Sequence, residues 1–283
     1  MGLLFPVSGG ICDDHPLNPI QLVRKKAAWR GKGPGFRAPL SERGCIVQQH
    51  DVTRLRDARG PMDNDTSSRL GADAPRGVTC YQAKAVALRI LGEPSLAGSV
   101  FLMGGLVPWM VSGRDSGRLH GDVDFSVRAG DMPVVRAWLA GQRDRVEVLD
   151  SIDLMCNGDR VDYGLCAVID GVPVSFCPFS LTGGALCQRS AAFAALEGFD
   201  ALFEAHADDV VEDDLIELRA CSGGLMAGMA TLEACRAAKQ ASGREKDSLD
   251  IAELDRLGCD CERLARMAAA FERMDVICAG HSS

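Results

Sequence analysis

The segment from Phe101 to Val127, FLMGGLVPWMVSGRDSGRLHGDVDFSV, constrains the fold of this chain more than any other. An apolar run, Ser99-Val100-Phe101-Leu102-Met103, ends in Gly104-Gly105. A second run, Asp122-Val123-Asp124-Phe125-Ser126-Val127, alternates polar and apolar residues with the period of a β-strand. Side chains alternate faces along a strand, so Asp122 and Asp124 are predicted to share one face, about 7 Å apart. Two carboxylates on one face, backed by apolar neighbours, make a hard-oxygen site suited to Mg²⁺. Gly104-Gly105 can bring bare backbone close to a phosphate, because neither residue carries a Cβ. The plain alternative is an ordinary strand-to-helix turn and a solvated strand edge. It leaves unexplained why Arg118 and His120 stand directly before the two acids.

The order apolar strand, Gly-Gly, short helix and Asp-x-Asp strand resembles the DNA polymerase β-type nucleotidyltransferase superfamily. The longer form Gly104-Gly105…Arg118-Leu119-His120-Gly121-Asp122-Val123-Asp124 is similar to its small-substrate and toxin-like branch. That branch includes the aminoglycoside and lincosamide nucleotidyltransferases and the abortive-infection-type toxins. The core of the resemblance lies in this one stretch, and a weaker similarity extends to about Leu254.

The resemblance implies an α+β fold, a nucleotidyltransferase-like mixed sheet flanked by helices, with a C-terminal helical domain. It implies transfer of a nucleoside monophosphate from an NTP, with ATP the expected one, to an acceptor hydroxyl. The acceptor could be a small molecule, a tRNA end or a protein side chain, since nothing in the motifs selects among them. Asp122 and Asp124 would be the catalytic, metal-holding residues for one or two Mg²⁺ ions. Gly104 and Gly105 would hold phosphate oxygens, with Arg118 and Lys239 as counter-charges. In the superfamily a third acid lies on a later strand beside the Asp-x-Asp strand. Here Val174-Ser175-Phe176 matches that strand and puts Ser175 at the acid's place, with Asp162 the other candidate. This departure motivates an alternative reading: a catalytically impaired nucleotide-binding module, regulatory or interacting, of the same fold.

Composition narrows the classes. The chain has 283 residues, enough for one large or two small domains, and a net charge of −8. That balance argues against a broad nucleic-acid-coating surface, and 5% aromatics against a base-stacking platform. No apolar run approaches a membrane span, so no membrane partner is expected. The N-terminus, Met1-Gly2-Leu3-Leu4-Phe5-Pro6, lacks a basic n-region and a long apolar core, so no secretory signal is expected. The 12 cysteines are scattered without a Cys-x-x-Cys, as in a protein of the reducing cytoplasm.

Residues 1–78 hold Gly, Pro, Arg and Asp without sustained periodicity and carry a net +4, against −12 for the rest. They are read as a disordered or loosely attached segment. Residues 79–187 are read as the α+β core and 188–283 as a mainly helical domain. Within the core, Tyr81 to Leu91 has a helical stripe at Ala83, Val86, Ala87, Ile90 and Leu91. A short helix around Leu106 to Val111 holds Pro108 in its first turn. Asp131 is placed as the N-cap of a helix running to Leu139. Val146 to Leu149 reads as a strand, and Tyr163–Ile169 and Val172–Phe176 as a hairpin turning at Asp170-Gly171. Ser190 to Ala205 is read as helix. Asp208, Asp209, Glu212, Asp213 and Asp214 are read as a solvated surface. Helices are expected again from near Gly224.

In Lys239-Gln240-Ala241-Ser242-Gly243-Arg244-Glu245-Lys246-Asp247-Ser248-Leu249-Asp250, Ser242 and Glu245 fit a capping box. Lys239 would then end one helix, while Asp247 and Asp250 lie on the next. A similar Lys…Gly-Arg-x-Lys-Asp-x-x-Asp pattern recurs in toxin-like nucleotidyltransferases, and that resemblance turns Lys239 toward the cleft. The competing reading is a surface helix with i,i+4 ion pairs such as Lys246/Asp250.

Overall fold

A computed structural model describes residues 23–24, 77–142, 144–156, 159–193, 200–221 and 223–281. The expectation for residues 1–78 therefore falls outside the described residues, except for Val23, Arg24, Gly77 and Val78. In chain order the elements are β1 (Val23–Arg24), α1 (Cys80–Leu91), β2 (Val100–Met103), α2 (Val107–Ser112) and β3 (Val123–Arg128). Then follow α3 (Met132–Gly141), β4 (Val146–Cys156), β5 (Asp159–Ile169), β6 (Val172–Thr182), β7 (Ala185–Ala192) and β8 (Asp200–Ala207). The chain continues with α4 (Glu212–Leu215), β9 (Ile216–Ala220), β10 (Met226–Ala230), α5 (Leu232–Ser242), α6 (Ser248–Leu257), α7 (Cys261–Glu272) and β11 (Asp275–His281).

The architecture is α+β: one mixed sheet flanked by helices, with α5 to α7 forming a C-terminal helical stretch. The strands lie in the order β1-β11-β8-β7-β6-β3-β2-β10-β9, and the β4–β5 pair joins the sheet through β6. β3 is central, antiparallel to β2 and parallel to β6. The first half of β6 pairs with β5 and its second half with β7, so the sheet changes neighbour along one strand. Gly164 permits the departure of β5. Its φ is +98°, and a Cβ there would lie 2.3 Å from the Phe176 carbonyl oxygen.

The main core packs α1 to α3 against the sheet through fully buried Phe125, Phe176, Ile90, Leu102, Leu106, Met110 and Ile169. Phe125 and Phe176 stack at 5.5 Å between ring centroids. The predicted stripe of α1 is buried at Ala83, Val86, Ala87 and Ile90, and a Thr79/Gln82 capping box starts the helix. The β5–β6 turn has the two positive φ values of a type I′ turn, +49° at Asp170 and +80° at Gly171.

Four local expectations are corrected. Apart from Phe193, the described residues between Ser190 and Ala205 are strand, in β7 and β8, because pairing of β8 with β7 and with β11 overrides the helix propensity of Ala and Leu. Residues 188–283 thus contain strands β8 to β11 and most of β7 besides α5 to α7. Ser242 is the last residue of α5, which Gly243 ends in the left-handed conformation, so Ser242 is not an N-cap. Asp131 occupies the N-cap position of α3 without a side-chain capping bond. Asp214 is not solvated: it is 6% exposed, and Arg266 donates to its two oxygens at 2.7 and 2.8 Å.

Candidate active site

β2 delivers Gly104 and Gly105 into a 3₁₀ turn, Gly104–Leu106, at the end of an entirely buried strand. Gly104 has φ +77°, and a Cβ on it would lie 2.8 Å from Asp124 Oδ2. The glycine is therefore required twice, by its backbone conformation and by the carboxylate against it. Asp124 is 4% exposed and pairs across the sheet with Met103 on one side and Ser175 on the other. Asp122 directly precedes β3 and is half-buried.

The next glycine meets the helical stretch. A Cβ on Gly105 would lie 2.7 Å from Arg118 Nη2 and 3.2 Å from Asp250 Oδ2. Asp250, fully buried on α6, accepts from Arg118 Nη2 at 2.7 Å, Lys239 Nζ at 2.7 Å and Trp109 Nε1 at 2.8 Å. Lys239 also donates to Asp247 Oδ1 at 3.1 Å. Asp247 accepts from Ser242, Arg244 and Lys239. Burial alone would raise its carboxyl, but those donors and the Lys239 charge hold it down to about 2. Arg118 Nε is buried and makes no hydrogen bond among the described residues.

A cleft opens beside this constellation. Gly104, Gly105, Lys239, Ser242 and Arg244 line its polar part, and Phe101, Phe179, Ile216 and Phe271 its apolar part. The fold thus brings Lys239, distant in sequence, to the stretch that holds Gly104, Gly105, Arg118 and Asp124. The Lys246/Asp250 ion pair of the competing reading is replaced by Lys239 and Arg118 on Asp250.

His120 stands behind the site. It is 2% exposed, its Nε2 lies 2.9 Å from Ser116 Oγ, and its backbone bridges to Val78. Burial, reinforced by the Arg118 charge, pushes its imidazole down to about 4. Of the two candidates for a third acid, only Ser175 has its place relative to Asp124 fixed by strand pairing among the described residues. Ser175 stands directly beside Asp124 in the parallel register. Asp162 accepts from Arg136 Nη2 at 2.7 Å and from the Gly164 amide at 2.7 Å.

Sequence reasoning missed two features. Trp109 and the central role of Asp250 have no local signature, since their partners lie more than a hundred residues away in sequence. The second is a group of Cys187, Glu204 and His206, whose donor atoms all lie within 4.8 Å of one another and could hold a metal. The alternation Glu204-Ala205-His206 was the available signal, and it is visible only once that stretch is read as strand.

No family model matches the chain, and no curated protein matches it. Among solved structures, it is similar to the solution structure of the antibiotic-resistance factor ANT(2'')-Ia at 16% identity and a TM-score of 0.39. That match covers 68% of this chain and 89% of the other. Among the described residues no helix is long and apolar enough to cross a membrane.

Proposed function

We propose that this chain is a Mg²⁺-dependent nucleotidyltransferase that moves a nucleoside monophosphate from an NTP, ATP being the expected one, to an acceptor hydroxyl. The observation that carries the reading is the packing of the Asp124 carboxylate against Gly104, with Arg118 and Lys239 gathered on Asp250 beside Gly105. Bare backbone and Lys239 lining one cleft, with the Asp124 carboxylate against Gly104 and Arg118 beside Gly105, suit a metal-bound polyphosphate.

In the proposed reaction the acceptor oxygen bonds to the α-phosphorus as the bond to the bridging oxygen breaks, the hydroxyl proton passes to solvent, and pyrophosphate leaves. Magnesium, when bound, would offset phosphate charge and stabilise the attacking and leaving oxygens. Asp124 and Asp122 supply the carboxylates to hold it, and the carboxylate donor set fits a hard cation. Gly104 and Gly105 let the backbone approach the phosphates, while Arg118 beside Gly105 and Lys239 from the helical side offer positive charge. On this reading residues 79–187 carry the metal-facing half of the cleft and 188–283 the covering half. A cytoplasmic location, where NTP is abundant, fits the proposal. The acceptor stays open among a small molecule, a tRNA end and a protein side chain.

A second reading rests on Ser175. Its place beside Asp124 brings a hydroxyl where a third acid would accept the acceptor's proton, and Asp162 is held by Arg136. That arrangement favours a nucleotide-binding module with impaired turnover. Incubation with Mg²⁺ and each labelled NTP separates the two readings. Pyrophosphate with a labelled acceptor supports transfer, Mg²⁺-dependent NTP binding without pyrophosphate supports the module, and no binding overturns both.

A further inference from the structure

We propose that Cys187, Glu204 and His206 form a binding site for a zinc-type transition-metal ion, on the face of the sheet opposite the cleft. Leu186 and Gln188 of β7 line the cleft, so Cys187 between them projects the other way. Cys187 is directly opposite His206 in the antiparallel register, and Glu204 lies two residues before His206 on the same face of β8. All three donors stand on paired strands, which fixes their spacing.

The chemistry of the set decides the class of ion. A thiol, an imidazole and a carboxylate suit zinc and its transition-metal neighbours, whereas magnesium and calcium take oxygen ligands. The geometry agrees. His206 Nε2 and Glu204 Oε2 are 3.3 Å apart. Two donors each about 2.0–2.1 Å from a tetrahedral zinc stand roughly that far from one another. Cys187 Sγ lies within 4.8 Å of both. Three protein ligands leave the fourth position to water.

The outer contacts are in place. Glu204 is 7% exposed, and its other oxygen, Oε1, accepts from Tyr163 Oη at 2.7 Å and Arg189 Nε at 2.9 Å. Those bonds leave Oε2 turned toward His206, as an outer shell orients a ligating carboxylate. The Arg189 charge opposes a cation. The Cys187 thiolate and Glu204 carboxylate offset the ion's charge, and Asp275, opposite His206 on β11, adds a further acid. On binding, the ion displaces to solvent both the thiol proton of Cys187 and the imidazole proton that His206 Nε2 directs at Glu204, and takes the lone pairs so freed. Cys187 and His206 are both half-buried, so the site is open to an ion from water.

The test uses the full-length chain, stripped with chelator and titrated with Co²⁺ and then Zn²⁺. The expected result is a thiolate-to-cobalt charge-transfer absorption that Zn²⁺ abolishes, absent from both C187S and H206N. Zn²⁺ should also raise the Tm of the wild-type chain by several degrees and leave the Tm of H206N unchanged. His206 is partly exposed, so H206N keeps the test decisive should C187S fail to fold. No cobalt absorption in the wild-type chain, or the same absorption and the same zinc-induced Tm rise in H206N, overturns the proposal. Because Asp122 and Asp124 are untouched, these outcomes are independent of nucleotide turnover.

Discussion

Lys239 Nζ lies 2.7 Å from Asp250 Oδ2, and the two side chains are 5% and 0% exposed. This contact joins α5 to α6 directly behind Gly105. Asp250 also carries Arg118 and Trp109, so it holds the Gly-Gly turn, the loop before β3 and the helical stretch in one arrangement. Removing one member of a buried charge group leaves the others uncompensated.

Asp250→Ala should accordingly destabilise the chain by about 3–5 kcal/mol. Urea unfolding measures it through the shift in midpoint at unchanged slope. A loss within experimental error would show that Arg118 and Lys239 find other partners. The same contact makes Lys239 part of the fold. Its near-complete burial between Asp247 and Asp250 means that Lys239→Ala should cost stability as well as NTP affinity.

Gly104→Ala probes the other half of the site. The left-handed backbone costs a residue with a Cβ about 1–2 kcal/mol, and the added carbon meets Asp124 Oδ2. The variant should lose about that much stability and displace the carboxylate, lowering Mg²⁺-dependent NTP binding beyond what the stability loss explains. Gly98→Ala is the control. Gly98 also has positive φ, at +77°, but a Cβ there meets nothing within 4 Å. Equal loss of NTP binding in both variants would contradict a close Gly104–Asp124 approach.

Much of this arrangement was legible in the sequence, and the reasons differ by element. Phe101 to Val127 declared two strands and a Gly-Gly turn because β2, buried throughout, reads as a continuous apolar run, β3 alternates with period two, and short-range sterics select glycine. The stripe Ala83, Val86, Ala87 and Ile90 announced α1, and Asp170-Gly171 announced its hairpin. The stretch around Asp200 to Ala207 was misread because Ala and Leu favour helix locally, while its strand state comes from pairing with β7 and β11. Asp250 could be placed on a helix from sequence, but not in the site. Its partners Trp109 and Arg118 reach it only through the packing of α2 and the following loop against α6.

His120 gives the stability a pH dependence. Its folded-state value of about 4 lies below the ordinary 6.5, so the unfolded chain binds the proton more readily. The stabilisation is complete above about pH 6.5 and is lost as pH falls toward 4. The size should be on the order of 2–3 kcal/mol. Tm measured from pH 7 to pH 4 should fall, and His120→Asn should flatten that segment of the profile. An unchanged slope in the variant would assign the fall to other groups, with Asp247 acting only lower, between about pH 4 and 2.

The central claim is that Asp124 holds the metal on which a nucleotide depends. The most direct measurement is NTP binding by calorimetry with and without Mg²⁺, for the wild-type chain and Asp124→Asn, with the Tm of each as a check on folding. The account predicts Mg²⁺-dependent binding in the wild-type chain, and its loss in a variant that still unfolds cooperatively. Equal, metal-independent binding in both proteins, or none in either, would contradict it.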